Sequence, residues 1–459
     1  MLQPLSMVIL LLGGASGGGC TFVNKPLNSL DAPIGQRQLN HTHAAMLQAS
    51  DPRSAAITTT TTTTMPTTRP SAADDGWFVG LAISGGGSRS ANFSAGVMFE
   101  LQRIGLLDKV DAISSVSGGS LTAAYYCLAA DNEWTVGNIQ RRMTHPFADD
   151  MWSVISKPWN LIALATTDWD RSDLLADAFN RNVFTRDGRV LTFGDLRADR
   201  PRLLVNATDL QSGQRFVFAN EAFDTINSDL SKYPIGYAVA ASSSVPLVLH
   251  QVTLRDFSTV FKQYRHFVDG GINDNLGVLS LLETYKSNND AAIAAGRPAP
   301  YGKGAVMIIL DAGTQYNARI SDKGDIGLIE GLGSGAKLSS AKLLNRASSA
   351  TLADMIVQYA PSDMTAEDIR NNLGTLRASG IIQIKDRDGR PLTIVHIALS
   401  RSVGLKNAPF ENFGSSLDQI DTYFNISQTD AYSLYQAAGL IVQEKFETRL
   451  GKIREMLEK

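Results

Sequence analysis

From Trp77 onward the apolar positions follow two alternating rhythms. Trp77-Phe-Val-Gly-Leu-Ala-Ile83 is a continuous apolar run closed by Ser-Gly-Gly-Gly, which predicts a buried strand. Over 91–107 the period lengthens, and Phe93, Val97, Leu101 and Ile104 share one helical face. The pair then repeats, with a short strand over 111–116 and a helix over 118–128. Two strand-to-helix units within about sixty residues predict an α/β fold with a parallel sheet and helices on its faces. Further strands are predicted over 202–207, 215–218, 266–268 and 305–310. In open parallel sheets ligand sites gather at the carboxyl ends of strands, where Gly85 to Gly87, Ser117 and Asp269 would all lie.

Beyond Thr314 the pattern thins. Residues 324–335 are glycine-rich. Thr365-Ala-Glu-Asp368 is a capping-box variant that predicts a helix through Leu376. A strand is predicted over 393–399, and a long final helix from Ser427 carries Leu434, Ala438, Ile441, Leu450 and Ile453 at helical spacing. The expected organisation is a catalytic core over 77–320 with a C-terminal α/β extension, 321–459, packed on it. No internal repeat is evident.

The first nineteen residues are similar to a bacterial lipoprotein signal: an apolar run Met7-Val-Ile-Leu-Leu-Leu12, small residues through Gly19, then Cys20 as the lipidation candidate. The run is too short to span a bilayer, which takes about 20 residues. No Lys or Arg precedes Lys25, and Gly17 stands where such signals usually carry Leu. Residues 20–76 lack periodicity and include Thr58 to Thr64, a composition that predicts a disordered tether with a span of roughly 40 Å. The expected location is the cell envelope, with a lipid anchor at Cys20; a secreted or periplasmic protein is the alternative.

Composition narrows the classes. The 459-residue chain is 44% hydrophobic and 19% charged, as in ordinary globular proteins, and its net charge of −3 gives no reason to expect nucleic acid. With two cysteines, Cys20 and Cys127, no disulfide framework organises the fold, and Cys127 in an apolar stretch reads as a buried thiol. Nothing points to an oligomeric state. Four tryptophans, Trp134, Trp152, Trp159 and Trp169, crowd one segment, which suits either burial in an extra helical layer or a lipid contact surface.

The candidate chemistry is acyl transfer. Ser115-Val-Ser117-Gly118-Gly119 approaches G-x-S-x-G, a sharp strand-to-helix turn that exposes a nucleophilic serine. Ser84-Gly-Gly-Gly-Ser-Arg89 aims backbone N–H groups at a helix N-terminus, where an oxyanion or phosphate can sit, but fits neither G-x-x-x-x-G-K-[ST] nor G-x-G-x-x-G. Val268-Asp269-Gly270-Gly271 puts a carboxylate at a strand end. The histidines offer no obvious base: His41 and His43 fall in the tether, His145 in a loop, and His250, His266 and His396 read as structural. A Ser-Asp pair can work without histidine if burial raises the carboxyl pKa and its oxygen reaches the hydroxyl.

With G-G-G-x-R at Gly85 to Arg89, the elbow serine Ser117, Asn206-Ala-Thr-Asp-Leu210 with Gly213, Val239-Ala-Ala-Ser-Ser-Ser-Val-Pro246 and D-G-G at Asp269 to Gly271, the chain resembles the bacterial patatin-like phospholipases. The likeness is strong over 78–279. It implies a three-layer α/β/α fold with a mostly parallel central sheet, and a serine lipid acyl hydrolase of the phospholipase A, lysophospholipase or esterase type. Ser117 would be the nucleophile, Asp269 its base, and Gly85, Gly86 and Gly87 the oxyanion hole. Arg89, Gly118, Gly119, Gly270 and Gly271 would support them. The substrates would be membrane lipids or lipid-like esters, with contact to a membrane surface, no metal, no cofactor and no need for calcium. Ser115 and Ser90 depart from the usual glycines. Two other readings stand beside it: a noncatalytic envelope lipoprotein that keeps the fold to bind lipid or protein, and a Ser-His-Asp hydrolase using His396.

Overall fold

The computed structural model describes residues 26–30, 75–157, 170–246, 249–313, 348, 350–420, 422 and 424–459. The signal segment, Cys20, the threonine run, Trp159, Trp169 and residues 324–335 lie outside them.

The strands are β1 (Trp77–Ile83), β2 (Ala112–Val116), the short pair β3 (Thr185–Arg186) and β4 (Arg189–Val190), β5 (Arg202–Asp209), β6 (Arg215–Phe218), β7 (Val252–Asp256), β8 (Gln263–Asp269), β9 (Gly304–Asp311), β10 (Ile381–Lys385) and β11 (Pro391–Ala398). The helices that matter here are α1 (Gly87–Ile104), α2 (Gly119–Leu128), α3 (Ile235–Ser242), α4 (Val278–Ala294), α5 (Ala366–Ser379) and α6 (Gln428–Ile441).

β11, β9, β1, β2 and β5 run parallel, and antiparallel strands β10, β6, β8 and β7 complete one nine-stranded sheet. Side chains alternate across it with the period of a strand. In β1, Trp77, Val79, Leu81 and Ile83 enter one apolar cluster with α1, α2, α3 and α6, whereas Phe78 and Ala82 enter a second with α4 and α5. β9 divides likewise, with Val306, Ile308 and Leu310 on one side and Ala305, Met307 and Ile309 on the other. Burial on both faces explains why these strands read as unbroken apolar runs. The three-layer α/β/α fold with a mostly parallel centre is therefore present.

Several elements differ from the sequence reading. α1 begins at Gly87 rather than Ala91, so the glycine run leads straight into a helix N-terminus. β10 was not anticipated; it is an edge strand that buries only Ile382 and Ile384 and exposes Gln383 and Lys385. The final helix is interrupted by a π-helical turn over Val442–Phe446 before it resumes at Glu447. Trp134 is buried, stacked on Phe99 with ring centroids 5.0 Å apart, and Trp152 packs against the same core, so the described half of the tryptophan group faces inward. Cys127 is free and buried, and burial pushes its thiol up to about 12.

Part of the expected tether is also packed. Asn28 accepts the Arg255 N–H at 2.8 Å and donates to the Arg255 carbonyl at 2.8 Å, which satisfies the outer edge of β7 as a neighbouring strand would. Ser228 Oγ donates to the Ser29 carbonyl at 2.9 Å. Low-complexity composition does not exclude a short motif that carries its own hydrogen-bonding partners.

Candidate active site

The site is assembled by a junction in the sheet. β2 pairs with β5 from Arg202 to Asn206, and β8 pairs with β5 from Ala207 to Asp209. β6 pairs with Val205 to Thr208, overlapping both, so it must hold the opposite edge of β5. β2 and β8 consequently share one edge and meet end to end, carboxyl end against carboxyl end. Ser117 follows the last residue of β2, and Asp269 is the last residue of β8.

Ser117 has a φ of 51°, a left-handed conformation that is uncommon for a residue with a side chain and costs about 1–3 kcal/mol. Its N–H donates to Ser242 Oγ at 2.8 Å, and Ser242 Oγ donates to the Asn206 carbonyl at 2.6 Å. Gly118 has to be glycine, because a Cβ there would lie 2.0 Å from the Gly87 carbonyl oxygen. Ser115 is fully buried in β2, and Ser90 Oγ donates to the Ser84 carbonyl at 2.6 Å. Both departures from glycine are thus accommodated. Ser117 is 6% exposed.

Asp269 is equally enclosed. Its Oδ1 accepts the Gly271 N–H at 2.7 Å, and the nearby Ser117 hydroxyl favours the ionised carboxylate. Its own N–H goes to the Ser244 carbonyl at 3.0 Å, and its carbonyl accepts Thr208 Oγ1 at 3.0 Å. Burial raises the carboxyl pKa to about 6, opposed by the hydrogen bonds from Gly271 and Ser117. A carboxylate in that range is ionised at neutral pH yet basic enough to take a proton.

The glycine run divides. The Gly85 N–H is given to the Asn275 carbonyl at 3.0 Å, which corrects its assignment as an oxyanion donor in this conformation. Among the described residues no acceptor takes the N–H groups of Gly86, Gly87 or Gly118. Gly87 is the first residue of α1 and Gly118 immediately precedes α2, so two helix N-termini converge beside the serine. Gly87 has a φ of 55°, and a Cβ there would fall 1.6 Å from the Thr422 carbonyl oxygen. Arg89 is a buried tie: Nε donates to the Ala312 carbonyl and Nη1 to the Ile420 carbonyl, both at 2.9 Å.

Gly119 and Gly270 leave room for close packing, with Cβ positions 2.6 Å from the Ser84 carbonyl oxygen and 2.3 Å from the Asn206 carbonyl oxygen. His396 is not brought to Ser117. It sits on β11, three strand spacings or roughly 14 Å from β2, and its Nε2 lies 3.0 Å from Asp311 Oδ2. Burial would raise the Asp311 carboxyl, but the hydrogen bond and charge of His396 outweigh it and hold that group below its ordinary value. Among the described residues no group of three His, Cys, Asp or Glu is placed to hold a metal ion, and no helix is long and apolar enough to cross a membrane.

Three residues that hold the site escaped assignment from sequence: Asn206, Thr208 and Ser242. The signal was there, as polar residues inside runs of small and apolar ones, since a buried polar group needs a partner. Which partner each would take was not in the sequence.

An α/β sheet with a serine on a left-handed strand-to-helix turn, facing a buried aspartate, defines a class of acyl-transfer scaffold. Residues 81–282 match the family model of the patatin-like phospholipases, and the chain contains a patatin-like phospholipase domain. Among solved structures it is similar to human GIVD cytosolic phospholipase A2, with 13% identity over 84% of this chain and 63% of that one and a TM-score of 0.45. It is also similar to VipD from Legionella pneumophila, with 13% identity over 83% of this chain and 67% of that one and a TM-score of 0.29. For ExoU bound to SpcU, from Pseudomonas aeruginosa, the identity is 14% over 81% and 71%, with a TM-score of 0.26. The chain thus spans 63% of the length of the human enzyme. No curated protein sequence matches it.

Proposed function

We propose that the protein is a serine lipid acyl hydrolase of the phospholipase type, a carboxylic ester hydrolase that works through an acyl-enzyme on a Ser117–Asp269 dyad. The observation that carries the reading is a serine held at φ 51° at the end of β2, set end to end against the buried Asp269, whose pKa is raised to about 6. In the first half-reaction Asp269 takes the Ser117 proton as Oγ attacks the ester carbonyl. The N–H groups of Gly86, Gly87 and Gly118 hold the oxyanion, and the tetrahedral adduct collapses as the alcohol leaves with the proton from Asp269. Water then attacks the acyl-serine, giving a proton to Asp269, and the carboxylic acid departs as the proton returns to Ser117. The residues carry this sequence without a metal.

The substrates are membrane lipids or lipid-like esters, and the location is the cell envelope, with Cys20 as the lipid anchor. A fluorophosphonate ester tests the nucleophile: one equivalent should bond to wild type, and the adduct should map to Ser117. Ser117→Ala should lose hydrolysis of a chromogenic ester by at least about a thousandfold. Unchanged turnover in that variant would remove Ser117 as the nucleophile, and absence of turnover in wild type would leave the noncatalytic binding reading in its place. Mass spectrometry of the mature N-terminus tests Cys20, since an unmodified cysteine would remove the anchor.

A further inference from the structure

β7 and β8 form a hairpin closed by residues 257–262. Because β8 meets β2 end to end and runs antiparallel to β5, the hairpin rises past the carboxyl ends of the parallel strands, on the side of Ser117. Gln263 lies six residues from Asp269, so β8 carries the tip roughly 20 Å beyond the dyad.

The base of this loop is pinned. Phe257 N–H donates to the Ile226 carbonyl at 3.0 Å, Ser258 N–H to Asp256 Oδ1 at 2.9 Å, and Arg265 Nε to Asp256 Oδ2 at 3.2 Å. The tip is built differently: Val260 is 102% exposed and Phe261 79%. A well-anchored loop that presents two adjacent large apolar side chains to water has them there for contact with something apolar.

The surroundings indicate what that is. Lys262 is exposed beside Phe261, with Nζ 5.5 Å from the Tyr264 ring centroid, and Arg255 lies 4.7 Å over the Phe257 ring. With Arg265, which is paired to Asp256, the hairpin carries three cations and one carboxylate, and Arg255 and Lys262 make no ion pair among the described residues. A convex apolar tip, backed by half-buried aromatics and a collar of positive charge, matches the layering of an anionic bilayer surface: acyl boundary, headgroup level, phosphates. The chain itself adds a second argument. Asn28 is fixed to Arg255 on this hairpin, so the preceding sequence, with its apolar run Met7 to Leu12, joins the body here. Cys20 lies eight residues before Asn28, at most roughly 28 Å of extended chain.

We propose that Val260, Phe261 and Lys262 form a wedge that docks the protein on an anionic lipid bilayer and turns the carboxyl ends of the parallel strands, where Ser117 stands, toward it. The purpose of this docking rests on the lipid hydrolase reading, whereas the binding can be tested apart from it.

The test uses the full chain carrying Cys20→Ser, so that no lipid anchor contributes, on vesicles of phosphatidylglycerol and phosphatidylcholine at about one to three and on pure phosphatidylcholine. The double variant Val260→Ser/Phe261→Ser should co-sediment with the mixed vesicles at least roughly tenfold less than its parent. Lys262→Glu should bind the mixed vesicles several-fold less and leave the weaker binding to phosphatidylcholine unchanged. All three proteins should hydrolyse a soluble chromogenic ester equally. Undiminished vesicle binding by the double variant would overturn the proposal, as would a parallel loss of soluble-ester turnover, which would make the hairpin a support for Asp269. A parent that is dimeric in solution and a double variant that is monomeric would assign the tip to self-association and overturn it too. Failure of the parent to turn over any ester, with vesicle binding still lost in the double variant, would sink the hydrolase reading and leave the docking surface standing.

Discussion

Replacing Asp269 by asparagine separates the chemistry of the base from the energy of holding it. The carboxyl titrates at about 6 in the fold against an ordinary 3.8, because burial disfavours the charged form. Two pKa units at 1.36 kcal/mol each give about 3 kcal/mol. Since the folded value is the higher one, the native chain binds the extra proton between the two values. Wild-type stability is therefore intact below about pH 4 and falls as pH rises through about 6. The amide introduced by Asp269→Asn stays neutral, its oxygen can still accept the Gly271 N–H, and it has no charge to desolvate. The variant should match wild type near pH 4 and be more stable by up to about 3 kcal/mol near pH 7.5, read by urea denaturation monitored by tryptophan fluorescence. The same substitution should abolish ester turnover, and wild-type kcat/KM should rise with pH to a plateau above about 6. A variant no more stable at the higher pH would refute the claim that burial raises the pKa. An active variant, or a flat wild-type profile, would refute the role of Asp269 as base.

Ser242→Ala removes the acceptor of the Ser117 N–H and should cost about 1–3 kcal/mol of stability. It should also lower kcat about tenfold with KM little changed, since the loss falls on the placement of the nucleophile. His396→Ala should keep ester turnover within about threefold but destabilise the fold by about 1–3 kcal/mol, because Asp311 loses its partner in the interior. Collapse of turnover in a folded His396→Ala protein would return the histidine reading.

Much of the core was legible as pattern. β1 and β9 are buried on both faces and therefore read as uninterrupted apolar runs, and α1 and α2 each follow a strand whose end is marked by glycine. The elements that escaped notice were those whose stability is not local. The sequence pattern does not show β7 and marks only three residues of β8, because a hairpin with an exposed tip is half polar and its pairing partner lies on another strand. Residues 26–30 sat inside a low-complexity stretch, yet Asn28 finds both backbone groups of Arg255. The glycine run divides for a similar reason. Three consecutive glycines look equivalent in sequence, but Gly85 is taken by Asn275, which stands 190 residues further along the chain.

Ser117 and Asp269 were identifiable by type and by neighbours, because glycines beside a serine and after an aspartate report turns at strand ends, and turns are local events. Their meeting was not. It depends on the pairing of β2 with β5 ending at Asn206 and β8 taking over the same edge of β5 at Ala207, a register fixed by backbone pairing between segments far apart in the chain. Ser242 then ties the two together from a third element, through a hydroxyl to Ser117 and a carbonyl to Gly270. Local sequence determines which residues stand at the ends of strands. Hydrogen bonding between distant strands decides which of those ends touch, and with it the burial that raises the Asp269 carboxyl pKa.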